Sequence, residues 1–168
     1  MGIYIISMID GKFIKKIING NKTSEFEELH ILKPGISWSP DGNKIVFAAK
    51  SGKSDALFIF DLNNSKNNSK KIFNLEGIFR PIWNPKYDKI AFVGNNGMSS
   101  DIYIYDIDKD ILSNITNDWF SDVQVSWHPN GDELLIISDR GNHLKTGYMS
   151  NSSNFLEHTV ENLDIYQL

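Results

Sequence analysis

The chain contains no cysteine, which excludes a disulfide framework and any thiolate-bound metal centre. It also lacks a run of about 18 apolar residues, the least that a membrane-crossing helix needs. Neither sign of charge dominates: 17 Lys and Arg stand against 21 Asp and Glu, a net −4. A nucleic-acid partner calls for a clustered basic stripe. The one short basic cluster here, Lys66 to Lys71, is diluted by Asn and Ser as a solvated loop is. The N-terminus, Met1-Gly2-Ile3-Tyr4-Ile5-Ile6-Ser7, has no basic stretch and no small-residue cleavage site, so it does not read as an export signal.

Catalytic signatures are lacking too. There is no Gly-x-Ser-x-Gly elbow for a hydrolase nucleophile, no Gly-rich phosphate loop and no twelve-residue calcium loop. Four histidines, His30, His128, His143 and His158, are spaced unlike zinc ligands. The expectation is a protein with no catalytic residues, no metal and no cofactor.

What the chain does have is repetition. Trp38-Ser39-Pro40-Asp41-Gly42, Trp83-Asn84-Pro85-Lys86-Tyr87 and Trp127-His128-Pro129-Asn130-Gly131 follow one another at spacings of 45 and 44 residues. A period of 40–50 residues marks stacked supersecondary units, propeller blades among them. Each motif is followed six residues later by a short apolar run: Lys44–Ala48, Lys89–Val93 and Glu133–Ile137. Further β-rich segments follow in register, Ala56–Asp61 and Asp101–Asp106, then Lys71–Phe73 and Ser113–Thr116. Asn, Gly, Asp and Pro clusters bound each of them, as they bound strands.

In the third repeat the corresponding strand, Asp164–Leu168, arrives about 19 residues late, so a long 139–163 loop precedes it. At the N-terminus Ile3–Ile6 matches Ile102–Tyr105, and Phe13–Ile17 matches an outermost strand.

Proline at the second position of a turn and glycine two residues later, at positive φ, reverse the chain after each tryptophan. Tyr87 stands where Gly42 and Gly131 do, so the middle turn should change type, since a left-handed tyrosine costs about 1–2 kcal/mol. The tryptophans are expected to pack between neighbouring units. Third strands such as Leu57-Phe58-Ile59-Phe60 and Ile102-Tyr103-Ile104-Tyr105 alternate aliphatic and aromatic residues, which predicts burial on both faces. Asp61 and Asp106 are expected to cap the turns that follow them.

Trp38-Ser39-Pro40-Asp41-Gly42, Lys44-Ile45-Val46-Phe47, Asp101-Ile102-Tyr103-Ile104-Tyr105-Asp106, Ile115-Thr116 and Ser138-Asp139-Arg140-Gly141 together resemble the TolB-like β-propeller repeat, a repeat type similar to WD40 and shared with tricorn-type and prolyl-oligopeptidase-family propellers. Ser138-Asp139-Arg140 matches a motif common at the end of that family's second strand, while Ala49-Lys50-Ser51 and Gly94-Asn95-Asn96 depart from it.

The resemblance implies an all-β fold, a partial β-propeller of about three and a half four-stranded antiparallel blades. Outer strands would lie in 1–20, whole blades in 33–75 and 79–117, and inner strands in 122–168. The family's propellers carry six or seven blades, so a fragment of a longer propeller is expected first, ahead of an assembly between chains or an open array. The function implied is a non-catalytic, bacterial, periplasmic or cell-envelope module that binds a protein or peptide, with no nucleic acid and no membrane insertion. The alternative is the substrate-gating propeller of a tricorn-like or prolyl-oligopeptidase-like peptidase. Open blade edges also make self-association an expectation.

Loops that join second to third strands, and one blade to the next, share one face of a propeller. On that face the sequence places Phe79, Arg80, Trp119, Phe120, Asp139, Arg140 and His143. Aromatic and arginine side chains exposed together are typical of interaction hot spots. These residues are the candidate binding site.

Overall fold

The computed structural model describes residues 2–18, 28–29, 35–142 and 164–167. Apart from one 3-10 turn at Ser65–Asn67, every regular element among the described residues is a strand. A hairpin of β1 (Ile3–Ile6) and β2 (Phe13–Ile18) comes first. The second sheet holds β3 (Glu28–Leu29) and β4 (Ile36–Trp38), both paired with β5 (Lys44–Ser51), then β6 (Ser54–Asp61) and β7 (Ser69–Ile72). The third is β8 (Gly77–Trp83), β9 (Lys89–Asn95), β10 (Ser100–Asp106) and β11 (Ile111–Asn114), in that order across the sheet. The fourth comprises β12 (Asp122–Trp127), β13 (Leu134–Ser138) and β14 (Asp164–Gln167). All pairings are antiparallel. This is a partial β-propeller, its sheets stacked face to face.

Alternation along each strand decides which neighbour a residue meets. Ile45, Phe47 and Phe58 turn back onto Ile18 of the hairpin. From the same strands Val46, Ala48, Leu57 and Ile59 turn forward onto Ile90, Phe92, Tyr103 and Tyr105. Ala91, Val93 and Ile102 in turn face Val125, Leu134 and Ile136. So the second and third sheets each turn an aromatic-rich face to the sheet before and a largely aliphatic face to the sheet after, while the fourth turns back a mainly aliphatic face. With two buried faces, the central strands cannot carry the polar alternation of a half-exposed sheet.

The tryptophans behave unequally. Trp83 is buried against the preceding sheet, and Trp127 packs partly against the seam behind it, its Nε1 donating to Ile82 O at 3.4 Å. Trp38 departs from the expectation and is 50% exposed. The sheet on its side is the hairpin, which among the described residues has two strands; these pack on β5 and β6, while Trp38 of β4 stays half exposed.

The turns follow their chemistry. Gly42 (φ 69°) and Gly131 (φ 80°) donate back to Ser39 O and His128 O, both at 2.9 Å. Tyr87 has no positive φ. Instead Asn84 Oδ1 accepts from Lys86 N (2.8 Å) and Tyr87 N (3.0 Å), a side-chain turn that spares the tyrosine. Asp61 Oδ1 caps Asn63 N and Asn64 N at 2.9 Å, and Asp106 Oδ1 caps Lys109 N at 3.0 Å.

The outermost strand of the third sheet lies earlier than the expected Ser113–Thr116, at Ile111–Asn114. Thr116 is instead folded inward, its hydroxyl accepting from Ile102 N at 3.0 Å.

Candidate functional site

Two places hold the expected site residues, and they are built differently. The first lies where the innermost strands β4, β8 and β12 converge. Pairing of β8 with β9 breaks between Phe79 and Ile82, and that of β12 with β13 shifts between Asp122 and Gln124. Such bulges re-aim side chains. Arg80 occupies the first with φ 51°, a left-handed conformation that costs a non-glycine residue about 1–2 kcal/mol. Its Nη1 donates to Val123 O (3.2 Å) and Gln124 Oε1 (2.8 Å) on the next inner strand.

From the other side Gly35 presses against the bulge. A Cβ on Gly35 would come within 2.3 Å of Arg80 Cα, so only glycine allows this approach. The result is a groove of about 420 Å³ lined by Ile36 of β4 and Gly35 just before it, by Arg80, Pro81 and Ile82 of β8, and by Gln124 and Val125 of β12. Its surface is about equally polar and apolar, with one guanidinium and one side-chain amide among the lining groups. Phe79, next to Arg80, does not share this position; it is half-buried and packs into the seam between the third and fourth sheets.

The second place is the crossover between β11 and β12. Here Arg140 is fully buried. It donates through Nε to Ser138 Oγ (3.0 Å), through Nη1 to Asp118 Oδ2 (3.1 Å) and through Nη2 to Asp122 Oδ1 (3.0 Å). Its guanidinium lies 5.9 Å from the centre of the buried Phe120 ring. Asp139 Oδ1 accepts from Ser121 N at 2.7 Å, a second tie onto the same crossover. Trp119, held between buried Asp118 and Phe120, is 39% exposed.

Phe120 and Arg140 thus lack the exposure that the sequence reading gave them. A buried guanidinium is tolerable only when paired, and its two aspartates draw it inward. His143 lies outside the described residues, as do His30 and His158 and most of the 139–163 loop.

The crossover is strongly acidic for a buried place. Asp101 adjoins it, accepting from Asn114 Nδ2 (2.9 Å) and Asp118 N (3.4 Å). Burial pushes the Asp118 carboxyl up to about 6, against the pull of Arg140. Burial also raises Asp101, opposed by the Asn114 amide. Asp122 Oδ2 is buried without a hydrogen-bond partner.

Sequence reading missed Asp118 and Asp122. A signal was available: the motif ending in Arg140 differs from Asn96 and Ser51 of the earlier repeats, and Asp118 and Asp122 differ in step from Asn74 and Ile78. Three charges that appear together in one repeat point to one another.

Among the described residues no group of three or more His, Cys, Asp or Glu is arranged to hold a metal ion. His128 acts within its turn, Nδ1 accepting from Asn130 N at 3.2 Å.

Residues 3–161 match the family model described as the TolB beta propeller domain. Among solved structures the chain is similar to TolB from Acinetobacter baumannii, with a TM-score of 0.60 and 19% identity over 81% of this chain and 31% of that one. It is similar to a putative TolB from Agrobacterium tumefaciens, with a TM-score of 0.55 and 18% identity over 62% of this chain and 37% of that one. The β-propeller domain of Cps50 (Swd1) from Myceliophteria thermophila has a TM-score of 0.57 and 14% identity, over 82% of this chain and 43% of that one. At these identities the likeness is one of fold. The chain spans about a third of the length of the TolB structures it resembles. No curated protein matches it.

Proposed function

The chain belongs to the TolB β-propeller family, and from that premise we propose that it is a non-catalytic binding module that holds a protein or peptide partner in the bacterial cell envelope. The observation that carries this reading is the groove at the convergence of the inner strands. It is an open groove whose surface is about equally polar and apolar, and Arg80 and Gln124 supply polar groups that give it direction, as a recognition site needs. Arg80 is the residue to watch. Its backbone is strained and its guanidinium spends only Nη1 on the next strand. Strain kept at one position in an otherwise regular strand is a pointer to function. Trp119 on its clamped crossover supplies a second contact, since aromatic side chains presented from a rigid base bind at low entropic cost.

The test uses a photo-crosslinking amino acid at position 36, which lies on the groove and is exposed. The protein is irradiated in a periplasmic extract of a Gram-negative bacterium. One defined protein should be captured, and Arg80→Ala should reduce that capture at least tenfold. Equal capture from a probe at Lys66, on the opposite turn face, would remove the groove from consideration. Nothing in the geometry favours the peptidase-gating alternative.

A further inference from the structure

Two of the three seams between sheets share a polarity that the outer faces of the array continue. In these two, aromatic side chains of one sheet press on aliphatic side chains of the sheet before it: Phe47 and Phe58 on Ile3 and Ile18, then Phe92, Tyr103 and Tyr105 on Val46, Leu57 and Ile59. The last seam is mainly aliphatic on both sides, Val125, Leu134 and Ile136 against Ala91, Val93 and Ile102. By its register the hairpin repeats the pattern. Ile3 faces forward into the Phe47 and Phe58 cluster, so Tyr4 and Ile6 face backward, as Tyr103 and Tyr105 do. Tyr103 is 8% exposed under its neighbour, whereas Tyr4 is 47% exposed and Ile6 52%. Phe13 stands edge-on to Tyr4 at 5.6 Å, and Lys16 Nζ lies 5.6 Å from its ring centre. The bare face is therefore already formed.

The far end shows the matching half. Leu134 and Ile136 face backward into the last seam. Leu135 therefore faces forward from the position that Val46 and Ala91 hold in the earlier sheets, and it is 48% exposed where those two are buried.

We propose that the Tyr4, Ile6 and Phe13 face docks the Leu135 face of a second copy of this chain, head to tail, continuing the interface already repeated inside the molecule. The two faces are unlike, so the contact is heterologous: each copy offers one of each, and neither face pairs with itself. The choice of a second copy rests on this complementarity, since the chain itself carries the aliphatic surface that the bare aromatic face lacks.

Sedimentation velocity over a concentration series tests it. The wild type should exceed the 19.1 kDa of one chain increasingly with concentration. Tyr4→Glu/Ile6→Glu and Leu135→Glu should each be monomeric alone. An equimolar mixture should form one discrete pair, because each variant keeps the face that the other has lost. All these side chains are about half exposed, so the variants should keep their circular dichroism. If a glutamate variant does not, Tyr4→Ser and Leu135→Ser serve in its place. A wild type of 19.1 kDa at every concentration overturns the proposal. So does a Leu135→Glu protein that self-associates like the wild type, which would mean that the aromatic faces meet each other.

Discussion

The seam between the second and third sheets and the seam between the third and fourth come from the same repeat, yet they hold their buried charge differently: a carboxylate, Asp55, accepts from a backbone N–H across the first, and an arginine clasped by two aspartates lies beside the second. The first is closed mainly by apolar side chains, with the buried Asp55 carboxylate accepting from Ile78 N (2.9 Å) and Ser37 Oγ accepting from Trp83 N (3.0 Å). Beside the second sit Arg140, Asp118, Asp122 and Asp101. The first seam closes without a buried arginine, so the Arg140 group does more than hold two sheets together. It fixes the crossover that carries Trp119, at the risk that goes with any buried ion.

The largest effects should come from breaking each seam by its own means. Trp83→Ala should destabilise by about 3–5 kcal/mol, as loss of a buried aromatic does, while Trp38→Ala should cost no more than about 1 kcal/mol, as exposed positions do. Urea unfolding followed by circular dichroism measures both, and equal losses would mean that Trp38 is covered in solution. Arg140→Ala should also cost about 3–5 kcal/mol at neutral pH, because it strands two buried carboxylates.

That second loss should shrink on acidification, since protonated aspartates need no partner. The sign follows from Asp118, whose carboxyl is raised to about 6 in the fold against an ordinary 3.8. The folded state then binds the proton more tightly than the unfolded chain does. The stability from this group is complete below pH 3.8 and is lost as pH rises through 6. Exposed Asp41 runs the other way. The Ser39 hydroxyl, helped by Asn43, holds it down to about 2, so its contribution is present above 3.8 and lost as pH falls toward 2. Thermal melts from pH 4 to 7 should show wild-type stability declining as pH rises, and Asp118→Asn should flatten that slope. An unchanged slope would clear Asp118 of the titration.

How much of this could be read from the sequence differs by place. The strands and their two-faced burial were legible because Leu57-Phe58-Ile59-Phe60 and Ile102-Tyr103-Ile104-Tyr105 leave no polar face to turn outward. The turns were legible because proline and glycine each allow few conformations. Trp38 was misjudged for a simple reason: a motif tells what a side chain can pack against, not whether that neighbour is there. Arg140 was misplaced because a lone arginine in a loop-like stretch reads as solvated until its partners are found, and Asp118 lies 22 residues away. The Arg80 bulge had one faint sign, a proline directly after it in a strand.

The smallest effects belong to the three turns, where similar sequences sit in different surroundings. Gly42 and Gly131 both have positive φ, but a Cβ at 42 would meet nothing, while one at 131 would lie 2.8 Å from Asn84 Oδ1. Asn84 Nδ2 also donates to Gly131 O at 2.8 Å, joining one turn to the next across the second seam. Gly42→Ala should therefore cost only the left-handed strain, about 1 kcal/mol, and Gly131→Ala more than that. Tyr87 decides whether the middle turn is truly different. Were it left-handed, Tyr87→Gly would relieve strain and stabilise. With the Asn84 carbonyl holding an ordinary turn, glycine can only add freedom to the unfolded chain, so Tyr87→Gly should destabilise by about 0.5–1 kcal/mol. The sign of that one change separates the two kinds of turn.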